Sequence, residues 1–305
     1  AAKNHFSDTL FFLIDDPILL KILRLGLKVK FMWTRPKNPI PFEIFIAAFV
    51  IAVFAVPQFA QKSTTPAYDD STYLYWQEKG IAEVSEKDFE DAINSFTKCL
   101  GLDKNNVQCL LKRGISYSRT KKYSAAIADL DKVIALEPDL AEAYLERGKL
   151  AIGNEEEIRY FTKAIKLKPD YADAYYQRGL TYFLSDSAKS LADNSKAIEL
   201  DPENFEAHIT RGNILRLDGK LSQALADYSK AVEIHPDDRT YYIRGQMYLE
   251  MKFFNKAVED LTRSAELRPD YYWTYINRAK AYRGLRKLKL ARADEKRAAQ
   301  IGRPQ

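Results

Sequence analysis

The sequence predicts an all-α chain: a solenoid of stacked helix-turn-helix repeats, preceded by an amphipathic helix and a single transmembrane helix. A basic residue followed by a small one recurs seven times between Trp76 and Arg303, at steps of 31 to 34 residues, which predicts the solenoid. A long apolar run before the repeats predicts the membrane span. The recurring pairs are Lys79-Gly80, Arg113-Gly114, Arg147-Gly148, Arg178-Gly179, Arg211-Gly212, Arg244-Gly245 and Arg278-Ala279.

Residues 1–38 are predicted to form a basic, amphipathic segment at a membrane surface. Asp16-Pro17 favours a helix start, and apolar residues dominate the stretch from Ile18 to Trp33. Lys21, Arg24 and Lys28 lie on one face of that helix. Basic residues opposite an apolar face are typical of helices that lie in a membrane interface.

Residues 39–60 are predicted to form the transmembrane helix. Thirteen apolar residues run without a break from Ile44 to Val56, and Glu43 and Gln58 are the only charged or amide residues between 41 and 60. A helix of that length spans about 30 Å, the thickness of a bilayer core. A signal-peptide core and a buried soluble helix are the alternatives, and both are disfavoured: more than forty residues precede the run, and nothing in the repeats needs a partner apolar on all sides.

Charge around the predicted span indicates its orientation. The window 18–37 holds six basic residues and no acidic one, whereas Asp69 and Asp70 follow the span. The positive-inside rule therefore places the amino terminus on a cytoplasmic, stromal or matrix-like side and the repeats on a lumenal or periplasmic side. Residues 61–71 are expected to be a tether. Because the chain starts with Ala1, we expect a processed or trimmed beginning.

Residues 72–305 form the predicted solenoid, and the copy from residue 205 to 236 shows its unit most clearly. Apolar and small residues at three- and four-residue spacing predict two helices, separated by Asp218-Gly219 and ended by Pro236. Neither helix can bury its apolar face alone, so neighbouring repeats must stack.

The recurring residues resemble the tetratricopeptide repeat family over about three quarters of the chain. The resemblance rests on an aromatic residue before the small one, an aromatic residue after it, and an alanine in the second helix; it implies a right-handed α-solenoid. Departures are Lys104, Ser190 and Ala279. The matching positions are Trp76, Tyr144, Tyr175, Tyr241 and Tyr275; Tyr117, Tyr182, Tyr248 and Tyr282; and Ala92, Ala126, Ala224, Ala257 and Ala291.

The recurring arginine is predicted to be structural rather than catalytic or phosphate-binding. An aspartate recurs in the second helices, and we expect each arginine to pair with the one in its own repeat. Partly exposed pairs of this kind contribute only about 0.2–1 kcal/mol each. The expected pairs are Arg113 with Asp129, Arg178 with Asp193, Arg211 with Asp227, and Arg244 with Asp260.

Two cysteines are too few for a disulfide framework and lack metal-site spacing. Cys99 lies in a second helix and Cys109 opens the next first helix, so stacking brings them close. The sequence favours buried free thiols there over a disulfide.

No catalytic constellation emerges, so we predict no enzyme activity, no cofactor and no metal. His5, His208 and His235 are scattered, and neither a phosphate-binding glycine loop nor a nucleophile elbow is present. The net charge of +5 arises from interleaved acids and bases, which does not indicate nucleic acid binding.

The resemblance implies a binding groove lined by the first helices of the repeats. Its aromatic and apolar character, with interspersed basic residues, suits an extended peptide or helix. The paired lysines and asparagines of chaperone-binding relatives are absent, because Gln77 and Ile81 stand where they would begin. The predicted groove residues are Leu111, Ile115, Arg119, Leu145, Tyr176, Leu180, Phe183, Ile209, Asn213, Arg216, Tyr242, Gln246, Ile276, Lys280 and Arg283.

The last helix, residues 285–303, carries seven basic residues and two acids. A polar cap of the solenoid is the favoured interpretation, and a surface for an acidic partner or anionic lipid is the alternative.

Together these features predict a single-pass membrane protein of an organelle or bacterium, for example of a thylakoid, that binds other proteins. The leading hypothesis is an assembly factor or scaffold for a multisubunit membrane complex, with subunits of that complex as partners. The alternatives are a permanent accessory subunit and a receptor for translocating precursor proteins.

Overall fold

A computed structural model describes residues 72–302, and this part of the chain consists of fourteen α-helices without a strand. The predicted surface segment 1–38, span 39–60 and tether 61–71 lie outside the described residues. Within residues 72–302, no helix is long and apolar enough to cross a membrane. The helices are α1 Tyr73–Ser85, α2 Phe89–Leu102, α3 Val107–Arg119, α4 Tyr123–Leu136, α5 Ala141–Gly148, α6 Asn154–Leu167, α7 Ala172–Tyr182, α8 Ser187–Leu200, α9 Phe205–Leu217, α10 Leu221–Ile234, α11 Asp238–Glu250, α12 Phe254–Leu267, α13 Tyr272–Gly284 and α14 Leu288–Ile301.

The fourteen helices form seven consecutive hairpins, which we number as repeats 1 to 7. We call the first helix of each hairpin its A helix and the second its B helix. Each A helix packs on its own B helix, and each B helix packs on the next A helix. The predicted helix-turn-helix solenoid is therefore confirmed in this part of the chain.

In repeats 1 to 6 the recurring glycine of the A helix lies directly against the B helix of its own hairpin. A Cβ atom added to Gly80 would lie 2.6 Å from the ring of Phe96, and one added to Gly212 would lie 2.7 Å from Tyr228. A larger side chain there would push the B helix away. The recurrence of a small residue is thus a packing requirement.

In five repeats the arginine beside it binds a carboxylate of the same hairpin with two hydrogen bonds. Arg113 donates from Nε and Nη2 to Asp129 at 2.7 and 2.9 Å. All four predicted pairs are confirmed, and a fifth joins Arg278 to Asp294. These five aspartates are only 5–7% exposed, whereas the side chains of their arginines are 15–25% exposed, so the pairs are partly exposed on the arginine side alone. Removing the arginine would leave a desolvated carboxylate without its partner, which costs more than breaking an exposed pair.

In three repeats the same arginine also reaches the preceding repeat. Arg113, Arg178 and Arg278 each donate from Nη1 to a threonine hydroxyl of the previous B helix, at 3.1 to 3.2 Å. The arginine therefore joins three helices: its own, its hairpin partner and the helix before. Arg147 lacks the aspartate and instead pairs with Asp131 of the previous B helix.

Cys99 and Cys109 form a disulfide, which corrects the expectation of free thiols. The bond joins α2 to α3 across a Cα–Cα distance of 6.5 Å, and both residues are fully buried. Stacking brings these helices together as predicted. Residue spacing did not show that both Cβ atoms face the shared interface.

Repeat 4 has a polar residue at a core position that is apolar or aromatic in repeats 1, 2, 3, 5 and 6. Asn194 is fully buried and takes the position that Phe96, Leu130 or Tyr228 holds elsewhere. Its amide donates to the backbone carbonyl of Ser190 at 2.8 Å, but its Oδ1 has no hydrogen-bond partner among the described residues. An unpaired buried acceptor is destabilising.

Asn194→Leu should therefore stabilise the protein, because it removes the unpaired acceptor and adds buried apolar area. We expect the free energy of unfolding to rise by about 1–3 kcal/mol, measured by urea denaturation. Leu261→Asn, the reverse change at the matching position of repeat 6, should lower it. A loss of stability in Asn194→Leu would contradict this account of the polar core.

The pair between Arg211 and Asp227 should make stability depend on pH. Burial raises the pKa of Asp227, but hydrogen bonds from Arg211 and His208 outweigh burial, so this pKa lies below its ordinary value. The pair's contribution is thus complete above the ordinary pKa and is lost as pH falls through the folded-state pKa. Asp227→Asn should lower Tm at pH 7, and its difference from wild type should shrink below about pH 4. The exposed control Asp139→Asn should change Tm little at either pH, and a pH-independent deficit in Asp227→Asn would refute the assignment.

Candidate protein-binding groove

We treat three cavities along the A helices of repeats 3 to 7 as one depression, which we call the groove. Their volumes are about 420, 410 and 270 Å³. The first two share Leu180 and Phe183, and the last two share Asn213. The shared wall residues make the cavities neighbours along the solenoid.

The structure places seven of the fifteen predicted groove residues in the walls of this depression. Most come from the A helices α7, α9 and α11, where the resemblance put them. Ile209 contributes only an edge, since it is 2% exposed. The seven are Tyr176, Leu180, Phe183, Ile209, Asn213, Arg216 and Gln246.

Two predicted residues belong to the core instead, which corrects the sequence-based assignment. Leu111 is fully buried in a cluster with Phe96 and Leu130, and Leu145 is buried with Phe161. An aliphatic side chain at this position turns onto the B helix. The longer Tyr176 at the matching position of repeat 4 extends into the groove.

The other six predicted residues lie outside the three cavities. Ile115 and Ile276 pack at the edges of core clusters, Arg119 is exposed, and Arg283 pairs with Glu295 at 2.6 Å. Exposed Lys280 donates to Asn277. The sixth residue, Tyr242, has a distinct structural role.

Tyr242 joins repeats 6 and 7 through its hydroxyl group. That oxygen accepts hydrogen bonds from Gln246 at 2.8 Å and from Asn277 at 3.0 Å, and the ring packs on Tyr271 at 5.2 Å. Burial, together with the neighbouring Tyr271, raises the pKa of Tyr242 to about 12. These contacts indicate that Tyr242 packs repeat 6 against repeat 7 rather than contacting a ligand.

The apolar part of the groove lies between repeats 3 and 5. Leu180 is 46% exposed, Leu184 is 91% exposed, and Phe183 stands between the first two cavities. Tyr176 is half-buried beside Glu206, and burial is the main cause of its raised pKa. These side chains offer an apolar surface that no described part of the chain covers.

Opposite charges in and around the groove largely neutralise one another. Lys149 pairs with Glu146 and Asp173, and Arg216 pairs with Glu250 at 3.3 Å. Binding of a ligand's acidic group by Arg216 therefore requires this side chain to leave Glu250. Arg239 similarly bonds Glu206.

The polar side chains of the groove that could bind a ligand are mainly uncharged: several amides and a hydroxyl group. Sequence reasoning predicted Asn213 and Gln246 but missed Gln177, Thr181, Leu184, Arg239 and Asn277. The spacing of Gln177 and Thr181 around Gly179 gives a faint signal, since both fall on the helix face that holds Leu180. Among residues 72–302, no group of His, Cys, Asp or Glu could hold a metal ion.

Comparison with known families identifies the repeats. Models described as tetratricopeptide repeat match residues 73–106, 108–139, 205–238 and 238–271. With the helix pairs and close glycine contacts above, these matches show that the chain carries tetratricopeptide repeats, as predicted.

Two curated relatives are similar over part of their length. The chain is 25% identical over 217 residues to the Hsp70-Hsp90 organizing protein of Triticum aestivum, covering 66% of this chain and 36% of that one. It is 37% identical over 70 residues to the heat shock protein sti1 homolog of Schizosaccharomyces pombe, covering 23% and 12%. The chain thus spans about a third or less of either relative.

Two solved structures share the fold. A tetratricopeptide repeat protein from Parabacteroides merdae ATCC 43184 has a TM-score of 0.55 at 19% identity, with 78% of this chain and 95% of that one covered. PilW, a type IV pilus biogenesis factor, has a TM-score of 0.58 at 18% identity, with 65% and 94% covered. At these identities the likeness concerns architecture alone.

Tyr242→Phe should destabilise the protein, because it removes an acceptor shared by Gln246 and Asn277. We expect the free energy of unfolding to fall by about 0.5–1.5 kcal/mol in chemical denaturation. Tyr241→Phe, at the neighbouring position outside this network, is the control and should be close to wild type. An unchanged stability in Tyr242→Phe would rule out the inter-repeat role.

Proposed function

We propose that the chain is a membrane-anchored scaffold whose groove binds a segment of a partner protein. Tetratricopeptide repeats are protein-interaction modules, which supports the general role. The observation that carries the specific proposal is the run of three adjoining cavities, walled by exposed apolar side chains and amides.

The chemistry of the groove favours an uncharged or weakly charged segment with apolar anchors. Leu180, Phe183 and Leu184 supply apolar surface for a buried side chain, the kind of contact that dominates binding energy. Gln177 and Gln246 supply donors and acceptors for a peptide backbone. Because the groove's charges are paired, shape and hydrogen bonding rather than net charge select the ligand.

A chaperone-adaptor role is the less favoured candidate. The wheat relative named as an Hsp70-Hsp90 organizing protein raises it. Binding a terminal carboxylate needs unpaired basic residues, whereas Lys149, Arg216 and Arg239 in this groove already hold acidic partners.

The buried disulfide supports the predicted location of the repeats. Cys99 and Cys109 are paired between α2 and α3, and disulfides persist chiefly in oxidising compartments. This agrees with the charge asymmetry around residues 39–60, which favours a lumenal or periplasmic side for the repeats. The proposal is an assembly factor for a multisubunit membrane complex, acting from that side.

The assembly-factor role is distinguished from its alternatives by stoichiometry. The full chain is purified in mild detergent and its partners are quantified. Association with immature complexes in less than molar amounts supports an assembly factor. A fixed molar ratio to the mature complex would show an accessory subunit, and binding of many unrelated precursors would show a receptor.

Tyr176→Ala combined with Phe183→Ala should weaken partner capture, because it removes two aromatic groups from the wall of the groove. An aromatic anchor contributes about 2 kcal/mol, so we expect the partner's Kd to rise at least about thirtyfold. Kd is measured by titrating the purified partner onto the full chain, and Tm is measured in parallel.

Tyr123→Ala is the matched control, since Tyr123 is 52% exposed and lies outside the three cavities. It should leave the partner's Kd unchanged. Unchanged Kd in the double variant, with Tm preserved, would place the binding surface elsewhere on the solenoid.

A further inference from the structure

The last described helix, α14, presents an exposed face of one charge sign. Lys289, Arg292 and Lys296 follow one another at spacings of three and four residues, which places them on one side of the helix. All three are exposed. The other exposed residues of that side carry no charge: Ala293, Ala299 and Gln300. We call this side the basic end face.

The two acids of α14 do not neutralise this face. Asp294 is buried and holds Arg278, while Glu295 accepts two hydrogen bonds from Arg283 at 2.6 and 2.9 Å. Both carboxylates are thus engaged with α13, on the inner side of the helix. The preceding turn adds two more exposed basic residues, Arg286 and Lys287.

In three earlier B helices a basic residue pairs with an acidic residue three positions later. In α14 the matching basic residue is Arg297, and no acidic residue follows it at that position. Lys196 pairs with Glu199, Lys230 with Glu233, and Arg263 with Glu266. Each basic residue precedes a buried small residue of its helix, as Arg297 precedes Ala298. The position that matches the acidic partner is occupied in α14 by Gln300, whose side chain is an uncharged amide.

Two positions of this face hold inter-repeat contacts in repeat 6. Val258 packs in the core cluster there, and Thr262 accepts a hydrogen bond from Arg278 of repeat 7. Arg292 and Lys296 take these positions in α14. Both side chains are exposed, and no described residue covers them.

Two leucines are exposed beside these charges. Leu288 is 53% exposed and Leu290 is 46% exposed, on either side of Lys289. A helix that only ends a solenoid needs polar residues of mixed sign, without exposed leucines. Basic residues next to exposed leucines match the chemistry of helices that bind the interface of an anionic bilayer.

We propose that the basic end face docks on an anionic phospholipid surface. The lysine and arginine side chains donate to lipid phosphates, and Leu288, one turn before Arg292 on the helix, contacts the acyl boundary. An acidic protein surface fits the charges but not the exposed leucines. This contact is separate from the groove and from the predicted span, so it can fail or hold independently of both.

The test measures the environment of α14 in the full chain. Gln300→Cys is labelled with an environment-sensitive fluorophore, since Cys99 and Cys109 are buried in a disulfide. The labelled chain is reconstituted into vesicles of phosphatidylcholine alone, or of phosphatidylglycerol and phosphatidylcholine in a one-to-two ratio. A headgroup spin-labelled lipid reports proximity by quenching the fluorophore.

We expect quenching in phosphatidylglycerol vesicles to exceed that in phosphatidylcholine vesicles several-fold, and to fall at high salt because the charges are screened. Lys289→Glu with Arg292→Glu and Lys296→Glu should reduce the quenching to the phosphatidylcholine level. The control variant changes three exposed lysines elsewhere to glutamate, which alters the net charge by the same amount, and it should retain the quenching. These lysines are Lys104, Lys121 and Lys166. Circular dichroism confirms that both triple variants remain helical.

Three outcomes would overturn the proposal. The first is equal quenching in both vesicle types. The second is loss of quenching in the control as well, which would show an effect of net charge alone. The third is a salt-sensitive fluorescence change with soluble polyglutamate but none with phosphatidylglycerol, which would show a surface for acidic polypeptides instead.

Discussion

The close approach of the two helices in each hairpin is the constraint on which the rest of the solenoid depends. A small residue such as Gly80, Gly148 or Gly212 lets an aromatic ring of the B helix lie against the A helix. That approach brings the neighbouring arginine within reach of a buried aspartate and, in three repeats, of a threonine in the helix before. One local contact thereby fixes both the hairpin and its stacking.

The groove forms where the repeats differ in sequence at matching positions of the same helix pair. Position 176 is tyrosine in repeat 4, whereas the matching residues Leu111 and Leu145 are core residues in repeats 2 and 3. The same repeat carries Phe183 and Leu184 at the end of its A helix and the polar core residue Asn194. The candidate site and the least apolar core thus coincide in repeat 4, the middle hairpin of the described part.

Sequence reasoning predicted the features that periodicity dictates and missed those that depend on how neighbouring repeats cover a surface. Spacing alone gives the helix pairs, the small-residue contacts and the pairing of Arg113 with Asp129, since each needs only a helix face. It does not tell whether a face is covered by the next repeat, so Leu145 was misassigned and Leu184 was missed. The disulfide was rejected for a related reason, because the direction of two Cβ atoms is a property of the stacked helices.

Site-specific photo-crosslinking tests the central claim, that the groove is the partner-binding surface, most directly. A benzoyl-phenylalanine is placed at Leu180 in the groove or at Leu267, which is 56% exposed and outside it. The account predicts that irradiation joins the partner to the chain at position 180 and not at position 267. Crosslinks at position 267 alone would contradict it.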